Sequence, residues 1–237
     1  AGPIRRPHGI PLHPFPGNPR MTPKRVSTTL ILLLAVASSG PAMAQTDAAS
    51  QTSVSFTKEF PGSQPPYVAI SLQEDGAALY RTAPEEKPVE FQVSADSAQQ
   101  FFSLAQKLSM FRGIQVESGR KVAQMGKKTF AYTSGAERSE VSFNHTENPD
   151  AVALLALFER LSATMQHRDR LEYLVRFDRL GVVKELLQLE IDLDQGRLLE
   201  PALLSPILET IRSNKALVNV AQERAVGILG RLQAAHP

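Results

Sequence analysis

Apolar and polar side chains alternate over residues 54–60 and again over 67–74, the period of a strand that buries one face. The proline-rich stretch 61–66 separates the two runs. Asp75-Gly76 then stands between 67–74 and 77–82, where glycine supplies the positive φ of a tight hairpin turn. Val89, Phe91 and Val93 predict a further strand. Ser94 is placed to cap a helix over 95–111, whose apolar positions Phe101, Leu104, Ala105, Leu108 and Phe111 recur at helical spacing before Gly113 closes it. Alternation resumes between Arg120 and Phe143, with Gly126-Lys127 and Ser134-Gly135 as candidate turns, and predicts two or three antiparallel strands.

The period changes at Asn148-Pro149-Asp150. Asn148 suits an N-cap, Pro149 the first helical position, where no amide donor is needed, and Asp150 the positive helix end. Leu154, Leu157, Leu161, Met165, Leu171, Leu174 and Val175 form one apolar stripe, and residues 180–193 continue it after a break near Gly181. Gln195-Gly196 ends that region, Ser205-Pro206 opens another helix, and Ser213-Asn214 separates it from a last one through Leu232. The pattern therefore predicts an α+β fold: an antiparallel β-sheet with one inserted helix over 53–146, then a bundle of antiparallel α-helices over 148–235. One helical pair does not make a repeat array, which needs about three units to be stable alone.

The start of the chain changes where this fold is expected to work. Lys24 and Arg25, the eight apolar residues 30–37 and Ala42-Met43-Ala44 have the layout of a secretory signal peptide over 21–44, cleaved after Ala44. Eight apolar residues are too few for a spanning helix, which needs roughly 20, so no stable membrane anchor is expected after cleavage. Residues 1–20 hold six prolines and no acid and are expected to be a disordered upstream extension; 45–52 are expected to be a flexible leader. The protein is expected to be exported, periplasmic or secreted. The formal net charge of +2 hides an asymmetry: five basic residues and no acid precede Gln45, so the chain from Gln45 on carries 21 basic and 24 acidic side chains, a net of −3. The basic isoelectric point is thus largely a property of the leader, and no nucleic-acid partner is expected. There is no cysteine, so an exported chain of this length holds together by core packing without disulfides.

The common catalytic patterns are missing. Ser55-Phe56-Thr57-Lys58 has the Ser-x-x-Lys spacing of penicillin-recognising acyl enzymes, but in a strand those two side chains point to opposite faces. No nucleophile elbow, phosphate-cradling loop or dinucleotide fingerprint occurs. Three histidines follow residue 44, His145, His167 and His236, with no i, i+4 pairing, so no metal and no cofactor is expected. Asp192, Asp194 and Gly196 only distantly resemble a calcium loop, because the glycine comes one position early and Leu203 stands where a bidentate acid belongs. Glu74, Asp75, Glu85, Glu86 and Glu90 are carboxylates that a fold can bring together for glycoside hydrolysis or leave on a solvated edge.

The candidate binding residues are Arg112, Arg120, Lys121, Lys127 and Lys128, which share 17 residues with a single acid, Glu117. On adjoining strands they form a basic patch for an acidic protein or an anionic envelope polymer; the plainer reading is lysines that keep an exposed sheet edge soluble. His167-Arg168-Asp169-Arg170 interrupts the apolar stripe, so the helix is expected to leave the core or kink there, as a solvent-bridging segment or a partner site. Together these features predict an exported, non-enzymatic binding or protein-interaction module of the bacterial cell envelope. The competing classes are an envelope hydrolase with a site assembled from distant residues and an oligomerising scaffold built on the last two helices.

Overall fold

The computed structural model describes residues 52–234. The expected extension, signal segment and cleavage point lie outside the described residues, as does all of the leader before Thr52. Six strands form one antiparallel sheet: β1 (Ser53–Glu59), β2 (Tyr67–Gln73), β3 (Ala77–Arg81), β4 (Val89–Gln92), β5 (Lys127–Ser134) and β6 (Glu137–Phe143), in the spatial order β4-β3-β2-β1-β5-β6. Five helices accompany them: α1 (Ala95–Lys107) inserted after β4, then α2 (Pro149–Phe177), α3 (Gly181–Asp194), α4 (Ser205–Ser213) and α5 (Asn219–Ala234). The expected α+β arrangement is what forms.

Strand pairing follows the alternation. Phe56 lies opposite Ile70 on one side and Phe130 on the other, and Ile70 opposite Tyr80, so one apolar row crosses the sheet. The opposite face carries small polar residues in register, including Ser55 with Ser71 and Thr57 with Thr129. Gly76 takes φ +86° in the β2–β3 turn, and a Cβ there would lie 2.6 Å from the Val93 carbonyl oxygen, so only glycine fits.

Two segments depart from the sequence expectation. α1 ends at Lys107, and Ser109, Met110 and Phe111 each adopt positive φ, between 50° and 64°. This left-handed turn is sterically costly, and it is held from two sides: Phe111 is buried and stacks on Phe130, and the Ser139 hydroxyl donates to the Met110 carbonyl at 2.5 Å. Between Arg120 and Phe143 two strands form, because residues 112–126 make an irregular connection. Its hydrogen bonds go to the end of β6: the Glu117 carboxylate accepts from the Asn144 and His145 amides, and the Asn144 side chain accepts from Met125 and donates to Ala123.

α2 carries the architecture. Its start is as the sequence implies, with the Asn148 side chain accepting from the Asp150 and Ala151 amides. At 29 residues it is about 43 Å long, and it serves two cores in turn. Its first half, Ala151 to Met165, packs with the sheet and α1 around Phe158, whose ring lies 5.2 Å from Phe56, 4.7 Å from Phe101 and 6.0 Å from Phe130. Its second half, from Leu171, packs with α3, α4 and α5. The charged interruption 167–170 falls between Met165 and Leu171, and α2 continues through it as one helix. The break in the apolar stripe marks the handover from one core to the other.

None of the described helices is long and apolar enough to cross a membrane.

Candidate binding groove

The five basic candidates do not share one environment. Arg112 pairs with Glu137 at 2.6 Å and Arg120 with Glu147 at 3.0 Å. Lys121 and Lys127 are exposed, and neither has an ion-pair partner among the described residues. Lys128 is interior: it faces the covered side of the sheet in register with Lys58 and Phe143, and its Nζ donates to the Asn144 carbonyl at 2.8 Å. Burial pushes its ammonium pKa down, with Glu159 opposing and Lys58 adding to the effect. A surface patch of all five is therefore not what the fold builds; strand parity turns Lys128 inward next to the outward Lys127.

The acidic candidates also stay apart in role. Asp75 accepts from the Ala77 amide in its own turn, Glu86 accepts from Thr82, and Glu90 lies opposite Leu79 on the uncovered sheet face. Ser55 and Lys58 sit on opposite faces of β1, as strand geometry requires.

The structure assembles a different site at the α2 handover. A groove of about 710 Å³ lies between α2, α3 and the β2–β3 side of the sheet. Its central residue is His167, only 8% exposed, gripped by two carboxylates from α3: Nδ1 is 2.8 Å from Glu185 Oε1 and Nε2 is 3.0 Å from Asp192 Oδ2. Glu185 and Asp192 are seven residues apart, two helical turns, so α3 presents both on one face. Burial disfavours the imidazolium, but the hydrogen bonds and charges of Glu185 and Asp192 outweigh it, and the His167 pKa rises above its ordinary value. Asp192 also takes Gln188 and Arg197, at 3.2 Å each; these bonds and that of His167 overcome its burial and hold its carboxyl below the usual range.

Along the same groove lie Asp169, Arg170 and Tyr173 of α2 and Tyr80 of β3. Asp169 accepts from Arg168 at 2.9 Å, yet burial, helped by Glu172 and Glu86, raises its pKa. Tyr80 is 1% exposed and its hydroxyl is buried without a hydrogen-bond partner. Burial, with the nearby Asp169 charge, pushes its phenol far up, so it stays protonated. Tyr173 is 53% exposed at the rim, its ring tilted against Phe177 at 5.1 Å.

The arrangement commits His167 to the joint between α2 and α3. With both nitrogens hydrogen-bonded to carboxylates, His167 has no free lone pair to accept a proton from a substrate. Among the described residues no group of three or more His, Cys, Asp or Glu is placed to hold a metal ion. The signal for this site was present in the sequence as the interruption 167–170 and as the Glu185–Asp192 spacing; what the sequence lacks is the packing of α3 on α2 that joins them. No protein family matches this chain, and no curated protein is significantly similar to it.

Proposed function

We propose that this protein is a non-enzymatic binding module that works after export to the cell envelope, and that its ligand sits in the groove between α2, α3 and the sheet. The observation that carries this reading is the buried histidine with both nitrogens engaged, on the wall of an open groove that also holds an unpartnered Tyr80 hydroxyl. The group best suited to proton transfer is committed to structure, whereas groups suited to hydrogen bonding are unclaimed. The leader supports export through its charged, apolar and small-residue segments. The basic stretch 112–128 does not line the groove; two of its arginines are paired with acids and Lys128 is interior.

The test is affinity capture of envelope protein and glycan by the full chain, compared with two variants. Tyr173→Ser with Asp169→Asn alters the groove; Lys121→Ser with Lys127→Ser alters the exposed basic pair. Groove binding predicts a ligand lost from the first variant, retained by the second and recovered chemically unchanged. A ligand lost only from the second, or recovered cleaved, overturns the reading.

A further inference from the structure

We propose that the groove receives a primary ammonium group, carried by a lysine side chain or by an amino sugar; this rests on the groove being a binding site. Three features of the groove converge on that chemistry. The first is charge. Asp169, Glu185 and Asp192 line it with Arg170 and His167; Arg168 holds one oxygen of Asp169, Arg197 holds one of Asp192, and His167 is the one partner of Glu185 among the described residues. The charge these carboxylates leave over sits on their free oxygens, the groups an incoming cation complements.

The second is unclaimed acceptors. Asp169 uses only Oδ1, toward Arg168, and Glu185 uses only Oε1, toward His167; Asp169 Oδ2 and Glu185 Oε2 have no donor among the described residues. The Tyr80 hydroxyl adds a third oxygen, and it is the independent sign of a ligand, being buried with no partner where nearly all such groups find one. The charges acting on that phenol are those of Asp169, Arg168 and Glu86, which places it at the Asp169 end. An ammonium brings three donors and no acceptor, which suits the free Asp169 oxygen and the Tyr80 hydroxyl at that end of the groove.

The third is the rim. Tyr173 presents an exposed aromatic face on the approach to the carboxylates, and such a face attracts a cation. Its neighbour Phe177, 72% exposed, extends the apolar surface along which a lysine's methylene stem can lie.

The experiment is an amide chemical-shift titration of the full chain with four probes: Nα-acetyl-lysine N-methylamide, its norleucine analogue lacking the ammonium, glucosamine, and N-acetylglucosamine. An ammonium site predicts shifts at Tyr80, Ala163, Asp169 and Tyr173 with lysine amide or glucosamine, and none with their uncharged counterparts. A response to the lysine probe alone identifies a peptide source, and to glucosamine alone an amino-sugar source. Asp169→Asn should weaken the bound amine about tenfold, the loss of one charge-assisted hydrogen bond, and Tyr80→Phe roughly threefold, for a neutral one. Affinity should fall as pH is lowered through the raised Asp169 pKa. Equal shifts from charged and uncharged probes overturn the ammonium assignment and leave the groove a binding site. Shifts from none of the probes also overturn it, and the groove itself then stands or falls with the capture experiment.

Discussion

Replacing His167 with alanine tests the joint between α2 and α3. In the native fold the side chains of Glu185 and Asp192 are 19% and 15% exposed and both hydrogen-bond to the imidazole. Without it, Asp192 keeps Arg197 and Gln188, whereas Glu185 keeps no ion-pair or hydrogen-bond partner among the described residues. Removing one member of a fully buried ion pair costs about 3–5 kcal/mol. Because both carboxylates retain some contact with solvent, His167→Ala is expected to lose about 2–3 kcal/mol, a discount on that range. Urea unfolding of wild type and variant between pH 4 and pH 9 measures it, with an unchanged slope against urea showing that only stability moved.

The pH dependence identifies the cause. The folded pKa of His167 is raised, so its contribution is fully present below its ordinary value near 6.5 and is lost as pH rises through the folded value. The folded pKa of Asp192 is lowered, so its contribution is present above its ordinary value near 3.8 and is lost as pH falls through the folded value. The stability gap between wild type and His167→Ala should therefore be widest between about pH 4 and pH 6.5 and narrow toward pH 9. A double-mutant cycle with Glu185→Gln should show coupling of at least about 1 kcal/mol. A gap under about 0.5 kcal/mol, the size of an ordinary surface change, or one that widens above neutral pH, refutes the clamp.

Tyr80→Phe should raise stability by about 1 kcal/mol while weakening amine binding, because it removes a buried hydroxyl that has no partner; thermal unfolding alongside the probe titration reads both, and a loss of stability contradicts the unpartnered assignment. Ser109→Gly, at an exposed position with φ +52°, should gain about 1 kcal/mol in denaturant unfolding by relieving a left-handed conformation that costs an L-residue about that much; a loss means the turn is not left-handed in solution. Phe158→Ala should cost about 3–5 kcal/mol, since its fully buried ring touches Phe56, Phe101 and Phe130; a cost below about 1 kcal/mol, that of a single methyl-scale change, places the centre of the first core elsewhere.

Most of the fold could be read from the sequence because its determinants are local. Alternation in 54–60 and 67–74 fixes which face of each strand is buried, Gly76 dictates its hairpin, and Asn148-Pro149 dictates where α2 begins. The left-handed turn at Ser109–Phe111 was not readable in that way: none of its residues is glycine, and the turn is held by Phe130 and Ser139, distant in sequence. The same limit applies to the site. The interruption 167–170 is visible as charge on an apolar stripe, but its meaning depends on α3 lying alongside. A lone histidine reads as solvated until Glu185 and Asp192 are brought to both of its nitrogens. Lys128 shows the converse: it counts toward a basic cluster in the sequence, and strand parity removes it from the surface.

The most direct test of groove binding is an amide-shift map of the full chain with its captured envelope ligand, followed by mass spectrometry of that ligand after long incubation. Reversible binding in the groove predicts shifts concentrated on Tyr80, Ala163, His167, Asp169 and Tyr173 and a ligand of unchanged mass. Shifts confined to 112–128, or a ligand converted to product, would contradict it.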